Sequence, residues 1–130
     1  MLAQRDADRA TEHARALREN AERYGVPTYV AVAHRLLGEI ALLNGDVATA
    51  EEELTRSLEP LARHPAPLVE WRHHAALGRL FAGSGRPAAA RVSFRQAAGV
   101  VEALARHIDD EAMRKTFLEA DAVRELQAGC

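Results

Sequence analysis

LGEIALLNGDVATA, residues 37–50, returns forty residues later as LGRLFAGSGRPAAA, residues 77–90. Leu37-Gly38, Gly45 and Ala50 recur as Leu77-Gly78, Gly85 and Ala90, Asn44 is replaced by Ser84, and the same shift carries Leu54 onto Phe94. Each copy reads as helix, tight turn, helix. Asn44-Gly45 and Gly83-Ser84-Gly85 are helix stops, and Asp46 and Pro87 suit the start of the helix that follows. Self-similarity at a fixed period of roughly 20–50 residues marks stacked repeats that bury their apolar faces on one another. The expected fold is therefore all-α, a stack of antiparallel helix pairs.

Working outward, Ala7, Ala10, Ala14, Leu17 and Ala21 recur at spacings of three and four, the stripe of an amphipathic helix over 4–24 that Gly25 and Pro27 end. Thr28 is the expected cap of the second helix, whose apolar residues Ala33, Leu36, Leu37, Ile40, Ala41 and Leu43 lead to the Asn44-Gly45 stop. Asp46 caps the third helix, which turns Val47, Ala50, Leu54 and Leu58 inward. Pro60 costs a helix one backbone bond, so a kink or end is expected near 57–59. His64-Pro65-Ala66-Pro67 is then the main linker.

A helix over 68–82 and a longer one over 87–107 repeat the pair. Asp109 or Asp110 opens a short helix with Met113, Phe117 and Leu118, and a last one carries Val123 and Leu126. These make about seven helices in a single domain: a half repeat at 1–25, repeats at 28–64 and 68–107, and a C-terminal cap at 109–128. Shifted back by forty, Ala50 falls on Ala10 and Asp46 on Asp6. The first helix thus reads as the second half of an earlier repeat, expected to expose an apolar stripe where its mate would sit. Gly99 interrupts a long helix, and a close contact with the terminal helices is the expected reason.

The 130 residues are 48% apolar with only 5% aromatic, so the core must come from closely approaching helices with small side chains. The net charge of −2, with both signs interspersed, gives no field to attract nucleic acid or an anionic membrane, and neither is an expected partner. No run approaches the roughly 20 apolar residues of a membrane span. Cys130 is the single cysteine, which excludes an intrachain disulfide and points to a reducing cytoplasm.

Leu37, Gly38, Gly45, Ala50 and Leu54, then Leu77, Gly78, Gly85, Ala90 and Phe94, resemble the signature of tetratricopeptide repeats, with His34 and His74 standing where an aromatic residue is usual. The steric reason is that Gly38 and Gly78 let one helix approach the next, where Ala50 and Ala90 do the same. Together with the tail, Ile108-Asp109-Asp110-Glu111 followed by Arg114, Phe117-Leu118, Ala122-Val123 and Leu126, the chain is similar to the C-terminal helical arms of large bacterial signalling proteins. Those include ATP-binding LuxR-type activators and cyclase- or kinase-linked ATPases.

The resemblance implies that the helix pairs wind into a right-handed superhelix and serve as a non-catalytic protein-interaction or scaffold module. Its groove would be lined by Val32, Arg35, Glu39 and Leu42, then Trp71, Arg72, Ala75, Arg79 and Ala82. Arg35, Arg72 and Arg79 could clamp an acidic peptide, against the plainer reading of a solvated helix face. Trp71 is either a buried packing residue or an exposed anchor.

Alternatives are a free-standing adaptor that self-associates through its N-terminal helix and a metal-dependent enzyme using Glu70, His73 and His74. Glu70 and His74 are four apart on one face, but adjacent histidines point about 100° apart on a helix and spacing supplies no third ligand. Structural histidines, without metal or cofactor, are the expectation. Residues 83–88 match G-x-G-x-x-A without the strand a dinucleotide fold requires, and no nucleophile motif accompanies the serines, so no enzyme activity is expected.

Overall fold

A computed structural model describes residues 4–129; Cys130 lies outside them. The described residues form seven α-helices and no strand: α1 (Gln4–Tyr24), α2 (Pro27–Leu43), α3 (Val47–Arg63), α4 (Pro67–Gly83), α5 (Pro87–Arg106), α6 (Glu111–Glu119) and α7 (Asp121–Gly129). Helices adjacent in sequence pack as antiparallel neighbours within two compact units, the first ending at Ala66 and the second beginning at Pro67. The division falls at the expected linker, where His64 to Ala66 leave the helical path.

Helix starts follow local chemistry, with one correction. Thr28 is not the cap of α2; the helix opens with Pro27 in its first turn after Val26. Proline has no N–H to leave unsatisfied there and its φ is already helical. Pro67 opens α4 and Pro87 opens α5 in the same way. Asp46 caps α3 by accepting the Thr49 N–H at 3.2 Å, and Asp110 caps α6 by accepting the Met113 N–H at 2.9 Å. Gly45 and Gly85 take φ of +80° and +75° at the two repeat turns, a conformation side chains resist.

Pro60 does not end α3, one of the two expected outcomes, for the helix continues to Arg63. It lies in the last turn, so only the bond to the Arg56 carbonyl is forfeited. Leu61, 3% exposed, holds that turn in the core, and the His64 N–H closes it on the Pro60 carbonyl at 2.8 Å. The buried stripe of α3 is Ala50, Leu54, Ser57 and Leu61; Val47 is exposed and Leu58 only half-buried, a second correction. Ser57 is accommodated because its hydroxyl donates to the Leu54 carbonyl. Leu43, the last apolar residue of α2, is also exposed.

The glycine contacts carry the helix pairs. A Cβ on Gly38 would lie 2.7 Å from Leu54 Cγ and 3.2 Å from the Ala50 carbonyl oxygen. A Cβ on Gly78 would lie 2.7 Å from the Phe94 ring, and one on Gly129 would meet the same ring at 2.7 Å. Phe94 is thus held between a glycine of α4 and a glycine of α7.

Around it, Trp71, Ala75, Ala97, Val101, Val123 and Leu126 form the core of the second unit, with α7 packed on α5 as a cap. Gly99 has no such reason. It is exposed, and nothing lies within 4 Å of an added Cβ, so the expected contact is absent and the structure does not explain this glycine.

In the first unit α1 packs on α2. Ala7, Ala14 and Ala21 are buried and Ala10 and Leu17 half-buried, while Glu12, His13, Glu19 and Arg23 are exposed. The apolar stripe expected to be left open on α1 is therefore not there. Its apolar residues are used against α2, and what faces away is charged.

Candidate functional site

Helix α2 is flanked by α1 and α3, and two recesses along it, which share no lining residue, together make a groove with α2 as its floor. Pro27, Val30, His34, Leu37, Ala41 and Asn44, spaced by three and four, form one stripe along that floor. Thr11, Arg15, Arg18 and Glu22 form the matching stripe on α1, and Asp46, Thr49, Glu53, Arg56 and Arg63 the one on α3. One end of the groove, toward Asn44, is a recess of about 500 Å³; the other, beside Pro27 and Pro60, is about 450 Å³.

His34 ties floor to wall midway along, its Nδ1 2.7 Å from Glu53 Oε2, with both side chains largely covered. Toward the larger recess, Arg15 and Arg18 on α1 face Asp46 and Glu53 on α3 across an apolar floor of Leu37, Ile40 and Ala41. Neither arginine has an ion pair among the described residues. Hydrogen bonds from the Thr49 hydroxyl and backbone N–H hold the Asp46 carboxyl below the ordinary aspartate range, so it stays ionised at neutral pH. Toward the smaller recess the charge is mixed: Glu22 lies on α1, and α3 carries Arg56 and Arg63 with Glu59 between them. Arg56 is engaged by Glu52 at 2.7 Å on the exposed side of its own helix.

The residues singled out from the sequence lie elsewhere. Val32, Arg35, Glu39 and Leu42 share a different face of α2 and are all half-buried. Arg35 Nη1 is 3.1 Å from Glu39 Oε2, so this guanidinium is already paired. Trp71 takes the buried of its two readings, at 4% exposed, and Ala75 is buried beside it. Arg72 is exposed with its guanidinium 4.7 Å from the centre of the Trp71 ring, and Arg79 and Ala82 are exposed on α4.

The three candidate ligands are separated by the helix geometry. His74 Nε2 lies 3.3 Å from Glu70 Oε1, whereas His73 is fully buried with Nδ1 2.9 Å from the Val69 carbonyl oxygen. Among the described residues no three His, Cys, Asp or Glu side chains converge.

Arg15, Arg18, Asp46 and Glu53 were missed by sequence reasoning, although a signal was present. Thr11-Arg15-Arg18-Glu22 and Asp46-Thr49-Glu53-Arg56 are polar stripes at helical spacing beside the apolar ones. Nothing in either stripe alone says that the two face each other.

No protein-family model, curated protein or solved structure matches the chain. No described helix is long and apolar enough to cross a membrane.

Proposed function

We propose that this chain is a non-catalytic protein-interaction module of the tetratricopeptide-like kind, working in the cytoplasm as part of a bacterial signalling or transcription-regulating ATPase. The observation that carries the binding role is the groove along α2, with its apolar floor, its charged walls, and Arg15 and Arg18 outside the ion pairs of the described residues. Concave surfaces with an apolar base and a few placed polar groups are where ligands settle. Repeat proteins of this type bury enough in their helix pairs to leave such a surface free for a partner. The glycine-mediated pairing at Gly38 and Gly78 supports the repeat kinship. Self-association through α1 has less behind it, because the outward face of that helix is charged.

The test is selection of ligands from a random peptide display library on the full chain, followed by binding to a Thr49→Trp variant. Thr49 is exposed on the α3 wall, so a tryptophan there covers the floor without disturbing the core. Selected peptides are expected to bind the wild-type chain and to lose at least about tenfold in affinity on the variant, roughly the loss of one well-placed contact region. Failure to select any peptide, or peptides indifferent to Thr49→Trp, would sink the proposal.

A further inference from the structure

We infer that the groove of the first unit receives an amphipathic helix of a partner protein, acidic where it passes Arg15 and Arg18 and basic where it passes Asp46 and Glu53. This rests on the protein-binding reading above and adds the shape and charge order of the ligand.

Shape comes first. The floor is one face of a 17-residue helix, about 25 Å long at the helical rise, and both walls are helices as well. A helix keeps its backbone N–H and C=O groups for itself, so no wall offers an edge to which an extended strand could add. A helical ligand satisfies its own backbone and presents side chains at i, i+3, i+4 and i+7 to an apolar strip such as Leu37, Ile40 and Ala41. A second copy of this chain placed groove to groove would set concave against concave and leave that floor uncovered.

Charge then sets the order. At the Asn44 end, Arg15 and Arg18 make α1 the positive wall, facing Asp46 and Glu53 on the other side. At the Pro27 end the charge is mixed: Glu22 lies on α1, and on α3 Arg63 lies beside Glu59 while Arg56 is already held by Glu52. The sign therefore changes across the groove at the Asn44 end. Exchanging all the acids and bases of a complementary helix sets like charge against like there, which is the arrangement that rejects wrong partners.

Two synthetic peptides of about 17 residues, the length of the floor, test this. They share one Ala/Leu stripe; the first carries the complementary pattern of Glu and Lys, and in the second every Glu and Lys is exchanged. Fluorescence anisotropy with the full chain is expected to show the first binding at least about tenfold more tightly, with the gap shrinking as salt is raised. In an Arg15→Glu/Arg18→Glu variant, checked for helicity by circular dichroism, the preference closes or reverses. Should that variant fail to fold, Arg15→Gln/Arg18→Gln is expected to narrow the gap.

Equal or inverted preference, a preference unmoved in the folded variant, or no binding of the complementary peptide overturns the inference. Library peptides that lose affinity on Thr49→Trp but lack this charge order overturn it while leaving the protein-binding reading intact. Failure of the library selection removes both.

Discussion

The hairpin α2–α3 and the hairpin α4–α5 use the same device to bring their helices together and different means to finish the packing. In the first, Gly38 receives Leu54, which is wholly buried by its own unit's helices. In the second, Gly78 receives Phe94, a larger and only half-buried ring that needs Gly129 of α7 on its other side. The histidine at the shared position differs too. His34 reaches across to Glu53 on α3, whereas His74 turns to Glu70 on its own helix, because the place of Glu53 is taken by the buried Ser93. The repeat thus dictates how closely the backbones approach, and the substituted positions decide what covers the join. The pair that kept the cross-helix link has an open groove beside it.

The largest effect that would test this contrast is at the two glycines. Gly78→Ala is expected to destabilise the chain by about 1–3 kcal/mol in urea unfolding, the usual cost of overpacking, even after the gain in helix propensity. Gly38→Ala is expected to cost more, since its Cβ would meet the branch carbon of the wholly buried Leu54 and also the Ala50 carbonyl oxygen, backbone that cannot swing aside as a half-buried ring can. An equal or reversed order would break the comparison.

Next is the histidine pair. Losing the short, covered His34–Glu53 contact through His34→Ala is expected to cost about 1 kcal/mol, and His74→Ala less, since it removes a longer bond within one helix. Thermal unfolding of both variants at pH 7 checks the ranking.

Gly99→Ala sharpens the contrast from the other side. It is exposed in mid-helix with open space around it, so alanine is expected to stabilise by about 0.5–1 kcal/mol. A loss of stability there would reveal a contact that the fold does not show.

The smallest effect concerns the cap that one hairpin has and the other lacks. The folded state depresses the Asp46 carboxyl, so the cap's contribution is present above the unfolded pKa and is lost as pH falls through the folded value. Wild type should therefore melt above Asp46→Ala at neutral pH, with the difference fading in acid. Arg86 starts α5 without a side-chain cap, so the loss on Arg86→Ala, which comes from its stacking on Phe81 at 4.6 Å, should not fade in acid.

Much of the fold was legible because it rests on local chemistry at fixed spacing. The turn glycines, the Asp46 and Asp110 caps and the Gly–Leu and Gly–Phe approaches each involve a few residues whose separation in the chain sets their separation in space. The alternative of an end at Pro60 failed because proline's local cost was weighed without the burial of Leu61 that outweighs it. The stripe on α3 was misplaced because Val47 and Leu58 are apolar, and an apolar residue at a helix edge costs little when exposed.

By itself, the sequence determined seven helices, the turns between them and the forty-residue pairing, since periodicity and capping act within one or two helical turns. Only the tertiary structure decided which face of α2 stays open, that Trp71 is core, and that α1 spends its apolar residues on α2. A helix presents several faces at once, and which of them a neighbour covers depends on helices distant in sequence. For the same reason Val30, His34, Leu37 and Ala41 line the recesses along α2, while Val32, Arg35, Glu39 and Leu42 lie on another face. Both stripes have helical spacing, and only the packing of α1 and α3 distinguishes them.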